Sequence, residues 1–572
     1  MYTIKANEQF EARLTERQLC DGITILTVEA DCKTEPSKLE LRVDWTCDDI
    51  GVNVSWSPSG FLNKIIRPNW GGFTESSAMS SAPVFSNVGY DDSNRLTIAC
   101  SDPKNRVRIR SGVIEENARL SNTVVINVDC AIDHYKAEIR LDTRDIPFYK
   151  AVEDVAKWWE TFEGLEPTNV PDTARQPLYS AWYSFHQQID VPRIIEECRY
   201  FGALGCKAII IDDGWQTDDN SRGYAYCGDW EVAASKIPDM KAFVDAVHET
   251  GLKFMLWYSV PFVGIHSKAY ERFKDKTLAN VGMGGTYVLD PRYPDVREYL
   301  IGIYKKAVLD WGLDGFKLDF IDSFRQSAEV KEGMDYVSVY DAVDRLMKDV
   351  ISTLKELNPD ILIEFRQSYI GPLMRTFGNM LRAADCPNDS YSNRVRTLAL
   401  RMTSGNTAVH SDMVMWSYNE PVELAAFQLN HILFAVPQIS VLHDKMPEDH
   451  AKMVGYYLSV WEKYRSVLLD GEMLYKGYAA DYNYASARKD NTQVGAVYSG
   501  RIAYLEHPTD EIVLVNASMN KDILIDSSFG GYYSYTITDC MGNEVSAGKI
   551  VLGGAPAKIS VPVSGYITLN RI

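Results

Sequence analysis

The sequence predicts a parallel (β/α)8 barrel set between two β-sandwiches, and three observations carry that prediction. Between residues 173 and 475, short apolar runs alternate with amphipathic segments of helix length, the period of parallel βα units. Over residues 1–150 and again after 476, apolar and polar residues alternate one by one, as in sheets with one buried face. A chain of 572 residues is also longer than one hydrophobic core can organise, so several domains are required.

Taken in order, residues 1–172 are expected to form an N-terminal β-sandwich ending in a linker helix. Its strands are runs such as GITILTVEA, KLELRVDW, RLTIAC and TVVINVDC, with Asp, Asn and Gly between them. The helix is DIPFYKAVEDVAKWWETFEG, and the proline-bearing stretch LEPTNVPDTARQP leads out of it. The barrel follows over 173–475, with strands at 178–185, 207–215, 253–259, 315–322, 361–367, 381–387, 406–416 and 437–442. Between them lie helices such as VPRIIEECRYFGALG and DMKAFVDAVHETG, which end in Gly where a left-handed C-terminal residue is favoured. Residues 476–572 return to strand text, EIVLVNAS and YYSYTITDC among it, and predict a small antiparallel β-sandwich. The glycine run GMGGT at 282–286 follows no strand suited to a nucleotide fold.

Composition narrows the function. The formal charge of −19 argues against nucleic acid or an anionic membrane as the main partner. No run of about 18 apolar residues occurs, so no helix is expected to span a membrane. The ten cysteines stand singly, without CxxC or HExxH, which predicts buried free thiols, no metal site and no cofactor. The stretch MYTIKANEQFEARLTERQL has no basic region followed by an apolar run. That predicts a cytoplasmic protein, unless a leader has been trimmed.

The active site of such a barrel lies where its strands end. The second run ends in Asp212, Asp213 and Trp215, the third in Trp257, and the fourth in Lys317 and Asp319. Arg366 ends the fifth, Arg382 and Asp385 the sixth, and His410 and Asp412 lie near the end of the seventh. Carboxylates gathered on one rim raise one another's pKa and are costly unless used. Paired carboxylates without metal or phosphate motifs suit glycoside hydrolysis. Lys317 is two positions before Asp319 and shares its strand face, where an ammonium keeps a nucleophile ionised or binds a hydroxyl. Asp212 and Asp213 suit paired sugar hydroxyls, and the tryptophans suit the apolar face of a sugar ring.

Residues 208–385 resemble the α-galactosidases of glycoside hydrolase family 36, with more distant relatives in families 27 and 31. The resemblance rests on IIIDDGWQ (209–216), GDW (228–230), KIPDMKAFVDAVHETGLKFMLWYS, LDPRYPDVREYL (289–300) and GFKLDF (315–320). It implies Asp319 as nucleophile, Asp385 as acid/base and Lys317 as a hydroxyl-binding partner. It further implies Asp212 and Asp213 at the O4 and O6 of a galactose-like sugar, Trp230 and Trp257 lining the pocket, and Arg366 beside the site. With Trp215 and Arg382 from the strand-end reading, these complete the expected substrate contacts. Asp389 is a competing acid/base, and His186 at the first strand end is a further candidate. Two stretches depart from the family: IEFRQS (363–368) lacks its glycines, and LWYSVPFVG lacks its Glu-Pro-Glu phrase.

The expected activity is thus retaining cleavage of a terminal α-linked galactose-like residue from an oligosaccharide or glycoside. A raffinose-synthase-like transferase, a family-31-like α-glucosidase or α-xylosidase, an α-N-acetylgalactosaminidase and a non-catalytic carbohydrate-binding protein stay open. The resemblance also admits a homo-oligomer.

Overall fold

The structure is a computed structural model that describes residues 1–282 and 284–572, so Met283 of the GMGGT run lies outside the described residues. The N-terminal domain is two six-stranded sheets packed face to face. In Ser37–Asp48 the buried positions are Leu39, Leu41, Val43 and Trp45, as the two-residue period requires. They meet Leu26, Val28, Ile98 and Ile139 of the other sheet in one core. The helix Phe148–Trp159 buries Phe148, Val152, Val155 and Trp159, and Trp159 Nε1 donates to Cys100 O at 2.9 Å, tying it to the sandwich.

Eight strands form the central sheet: Leu178–Ser180, Ala208–Ile211, Lys253–Ser259, Gly315–Asp319, Leu362–Arg366, Met380–Arg382, Ala408–His410 and Gln438–Ile439. All neighbouring pairs are parallel. Two isolated parallel bridges, His410 to Val436 and Val414 to Ile439, bring the last gap together. Each expected barrel strand is present, several shorter than read. In the first, Trp182–Phe185 is a helical turn instead of strand. The second stops at Ile211, so Asp212–Trp215 lie on the loop above it, where Gly214 adopts φ 109°.

The floor of the barrel is apolar, built from Leu178, Ala208, Ile210, Met255, Leu362, Met380 and Ala408. Gly315 completes that layer. A Cβ there would lie 2.5 Å from Leu362 O and 2.6 Å from Leu362 Cβ, so only glycine fits. A small sheet not foreseen from sequence, Phe262–Gly264, Thr277–Asn280 and Thr286–Leu289, follows the third strand.

The C-terminal domain has a seven-stranded and a three-stranded sheet and takes its first strand from Glu472–Lys476. It is not wholly antiparallel. Thr492–Val497 runs parallel to Glu511–Asn516, and Ile502–Leu505 parallel to Asp522–Ser527, because the chain crosses between sheets instead of turning back as a hairpin. Of the cysteines, Cys20 is exposed and Cys32, Cys47 and Cys130 partly so; the other six are buried, and all ten are free.

Three domains meet above the fifth strand. Ser81 N of the first sandwich donates to Ser368 O at 2.6 Å, and Tyr478 Oη of the last domain donates to Ser55 O at 3.0 Å. A Cβ on Gly371 would lie 2.6 Å from Ser81 O, so this approach depends on the missing side chain.

Candidate active site

Strand alternation decides which side chains reach the site. Residues two apart face the same way, so the fourth strand turns Lys317 and Asp319 inward above Gly315. The fifth places Glu364 and Arg366 above Leu362, and the sixth places Arg382 above Met380. The register sets Lys317 opposite Glu364, Arg366 opposite Arg382, and Arg382 opposite His410. The apolar floor is therefore topped by a layer of charge.

Asp319 is the most heavily bonded of these groups. Arg366 Nε donates to its Oδ1 at 2.9 Å and Trp257 Nε1 to its Oδ2 at 3.0 Å, while Tyr369 Oη also donates to Oδ1. Phe320 takes a left-handed φ of 59°, and its own N–H turns back onto Oδ1 at 2.8 Å. Burial alone would raise the pKa of Asp319, but Arg366, Lys317 and these donors hold it well below the usual carboxylate range. An ionised, oriented carboxylate is what a nucleophile requires.

Lys317 Nζ donates to Asp212 Oδ2 at 2.5 Å. Burial works against its ammonium, yet Asp212 and Asp319 outweigh it and raise its pKa despite the opposing charge of Arg382. Asp213 is held by Gln187 Nε2 and Gln216 Nε2, each at 2.7 Å. Its pKa is pushed up to about 6 by burial and by the charge of Asp212, against those two hydrogen bonds.

Arg382 is the hub of the other half. Its side chain is 1% exposed, and its guanidinium faces Asp385 at 2.9 Å, Glu364 at 3.5 Å and also Asp412. Its charge thus faces three carboxylates, and it orients Asp385. Asp385 stands at the mouth with a side chain 55% exposed. Burial raises its pKa, and Arg382 with Lys317 more than reverses that, so its carboxylate form is favoured. Asp389, the competing candidate, caps the helix Ser390–Ser404 by accepting from Ser392 N at 2.9 Å.

The aromatic residues separate into two roles. Trp257 lies beside the nucleophile, and Trp230 packs near it with ring centroids 5.9 Å apart. Trp215 is 0% exposed, with Trp230, Tyr258 and Trp311 around its ring. Its Nε1 donates to Trp257 O at 2.9 Å. Trp215 thus packs against Trp257, itself 1% exposed. His410 is buried and bonded to Ala174 O at 2.7 Å, and burial pushes its pKa down to about 4, leaving it neutral. Asp412 accepts from Tyr183 Oη at 2.9 Å and Cys386 N at 2.6 Å. His186 lies beside Arg222 Nη2, at 3.3 Å from Nε2.

Tyr369, Gln187, Gln216 and Tyr183 were not singled out from sequence. None sits on a barrel strand, and only Gln216, the last residue of IIIDDGWQ, falls within a quoted motif. Tyr369 follows the fifth strand end by three residues, so only the fold of that loop brings it to Asp319. Tyr369→Phe is expected to raise the pKa of Asp319 by removing a donor to its charged form. The acid limb of kcat/KM, where the nucleophile becomes protonated, then moves to higher pH; a pH–rate profile of the variant checks this.

Residues 166–372 match the Melibiase family model. That span holds the first five strands of the barrel. Its curated relatives include an α-galactosidase, Mel36A, from Lactobacillus acidophilus, 31% identical over 220 residues, which are 35% of this chain and 28% of that protein. An "A type blood alpha-D-galactosamine galactosaminidase" from Flavonifractor plautii is 29% identical over 174 residues, 27% of this chain and 15% of the relative. These alignments thus span under a third of either relative. Among solved structures, a raffinose complex of the family 36 α-galactosidase AgaA from Geobacillus stearothermophilus superposes with a TM-score of 0.66 at 14% identity. The match covers 98% of this chain and 81% of that one. The barrel and its flanking sheets therefore share that overall fold.

Proposed function

We propose that the protein is a retaining α-galactosidase, cleaving a terminal α-linked galactose from an oligosaccharide or glycoside by double displacement. The observation that carries this is Asp319, buried at the strand ends and held ionised by Arg366, Lys317, Tyr369 and Trp257. Asp385 at the mouth lies in the field of the same two cations, Lys317 and Arg366. The names of the relatives, α-galactosidases among them, support the sugar.

In the first step Asp319 attacks C1, the bond to the leaving oxygen breaks, and Asp385 gives that oxygen its proton. In the second, Asp385 takes a proton from water, the hydroxide oxygen bonds to C1, and the ester to Asp319 breaks. The Arg382 contact favours Asp385 as base. For the acid half, the leaving oxygen draws the protonated carboxyl away from that guanidinium. Asp212 and Asp213 accept from the O4 and O6 hydroxyls, Lys317 steadies Asp212, and Trp257 with Trp230 covers the apolar face of the ring.

A panel of p-nitrophenyl α-glycosides of galactose, glucose, xylose, galactosamine and N-acetylgalactosamine tests the proposal. The α-galactoside is expected to turn over at least about tenfold faster by kcat/KM than the glucose or xylose compounds, a difference of about 1.4 kcal/mol. The name of the Flavonifractor relative favours a second reading, in which an amino or acetamido sugar is the better substrate. Absence of turnover across the panel would contradict both.

A further inference from the structure

A cavity of about 310 Å³ opens where the three domains meet, between the first sandwich, the loop after the fifth barrel strand, and the last domain. Its volume is in the range of small-molecule sites. Arg366, which holds Asp319, forms part of its wall, and so does Ala384, the residue before Asp385. The cavity therefore borders the neighbours of both catalytic carboxylates. Neither the family match nor the catalytic reading assigns it a role.

Its lining holds two polar groups left unbonded. Arg396 extends from the helix Ser390–Ser404 over Phe61, its Cζ 4.0 Å from the ring centroid. Among the described residues it makes no ion pair or hydrogen bond, and its Nε is cut off from solvent. Tyr482 Oη, on a residue 0% exposed, is likewise buried and has no hydrogen-bond partner among the described residues. Arg366, by contrast, is paired with Asp319. Asp322 is the carboxylate of the lining, 3.5 Å from Ser368 Oγ. Arg396 is half-buried, so of its donors only Nε is shut off from water; its guanidinium is an uncommitted cation facing the cavity in a protein of net charge −19. An ammonium ligand would be repelled by Arg396, and an apolar one would leave both donors dry. An anionic group satisfies them, because guanidinium pairs well with carboxylate or phosphate. Trp56 and Phe61 add aromatic faces against which a pyranose ring packs.

We infer that this cavity is the leaving-group subsite, built for a sugar that carries an acidic substituent, carboxylate or phosphate, paired with Arg396. The inference rests on the α-galactosidase reading. It deepens that reading by naming the departing half of the substrate.

Calorimetry on the full chain with glucose, glucuronate, glucose 6-phosphate and inorganic phosphate separates the sources of charge. At least one acidic sugar is expected to bind tenfold or more tightly than glucose, and to compete with an aryl α-galactoside. Arg396→Gln should erase that preference, Arg396→Lys should keep part of it, and Phe61→Ala should weaken neutral and acidic sugars alike. Equal affinity for glucose and both acidic sugars would overturn the inference. So would a preference untouched in Arg396→Gln, or inorganic phosphate binding as tightly as the sugar phosphate. Wild-type turnover of α-galactosyl fluoride, whose leaving group needs no such subsite, reports on the catalytic reading separately. If the fluoride is cleaved and acidic sugars gain nothing, the subsite alone is wrong; if it is not cleaved, the leaving-group assignment falls with the catalytic reading.

Discussion

Asp319→Ala is expected to lower kcat for p-nitrophenyl α-galactoside by ~10⁴-fold or more, the scale seen when a nucleophile is removed. The reason is the geometry of the fourth strand. Lys317, Arg366, Tyr369 and Trp257 all direct charge or donors at that one carboxylate. The variant should still fold, since Lys317 keeps its bond to Asp212 and Arg366 keeps the nearby charge of Asp385. With the carboxylate gone, azide can occupy its place and attack C1 from the same face. Added azide is thus expected to restore turnover and to yield β-galactosyl azide. A variant that kept most of its activity without azide would remove Asp319 from the mechanism.

Arg382→Met should have the largest effect on stability, a loss of about 3–5 kcal/mol, the range for removing one partner of a buried ion pair. The side chains of Glu364 and Asp412 are both 0% exposed and face this guanidinium. Burial already raises both of their pKa values, and the Arg382 charge works against that rise. Without Arg382 the two carboxyls must take up protons or remain as unpaired charges in the barrel. A fall in the thermal midpoint of the barrel measures the effect. Adding Asp412→Asn to Arg382→Met should recover part of the loss, because the two sites are coupled. A midpoint within a degree of wild type would show that the network is not held by this residue.

The barrel was legible because its strands are short, apolar and followed by amphipathic helices, and period-two text cannot be confused with that. Strand ends also pointed to the charged rim, since the polar residue that stops an apolar run in a barrel faces the site. What sequence could not provide was the direction of side chains beyond those ends. Trp215 and Trp257 look alike in the text and both are buried, yet it is Trp257 whose indole donates to Asp319, while that of Trp215 donates to Trp257 O. Arg382 reads as a sugar contact in the text, which gives no sign that Glu364, Asp385 and Asp412 gather around it. Asp389 had a local signal. It directly precedes a helix, where Asp is favoured as a cap, and that distinguishes it from Asp385. Tyr369 had none, because the loop that delivers it is shaped by contacts with Ser81 of another domain. The cavity at Arg396 is assembled from residues more than 300 positions apart, and no pattern within one segment describes it.

The central claim is that Asp319 forms a covalent glycosyl intermediate, and the stereochemistry of the first product tests it most directly. Proton NMR of p-nitrophenyl α-galactoside hydrolysis, recorded before mutarotation, resolves the two anomers of released galactose. Two displacements at C1 predict that the α anomer appears first and relaxes toward the equilibrium mixture. If the β anomer appears first, water attacks directly, and Asp319 is not the nucleophile.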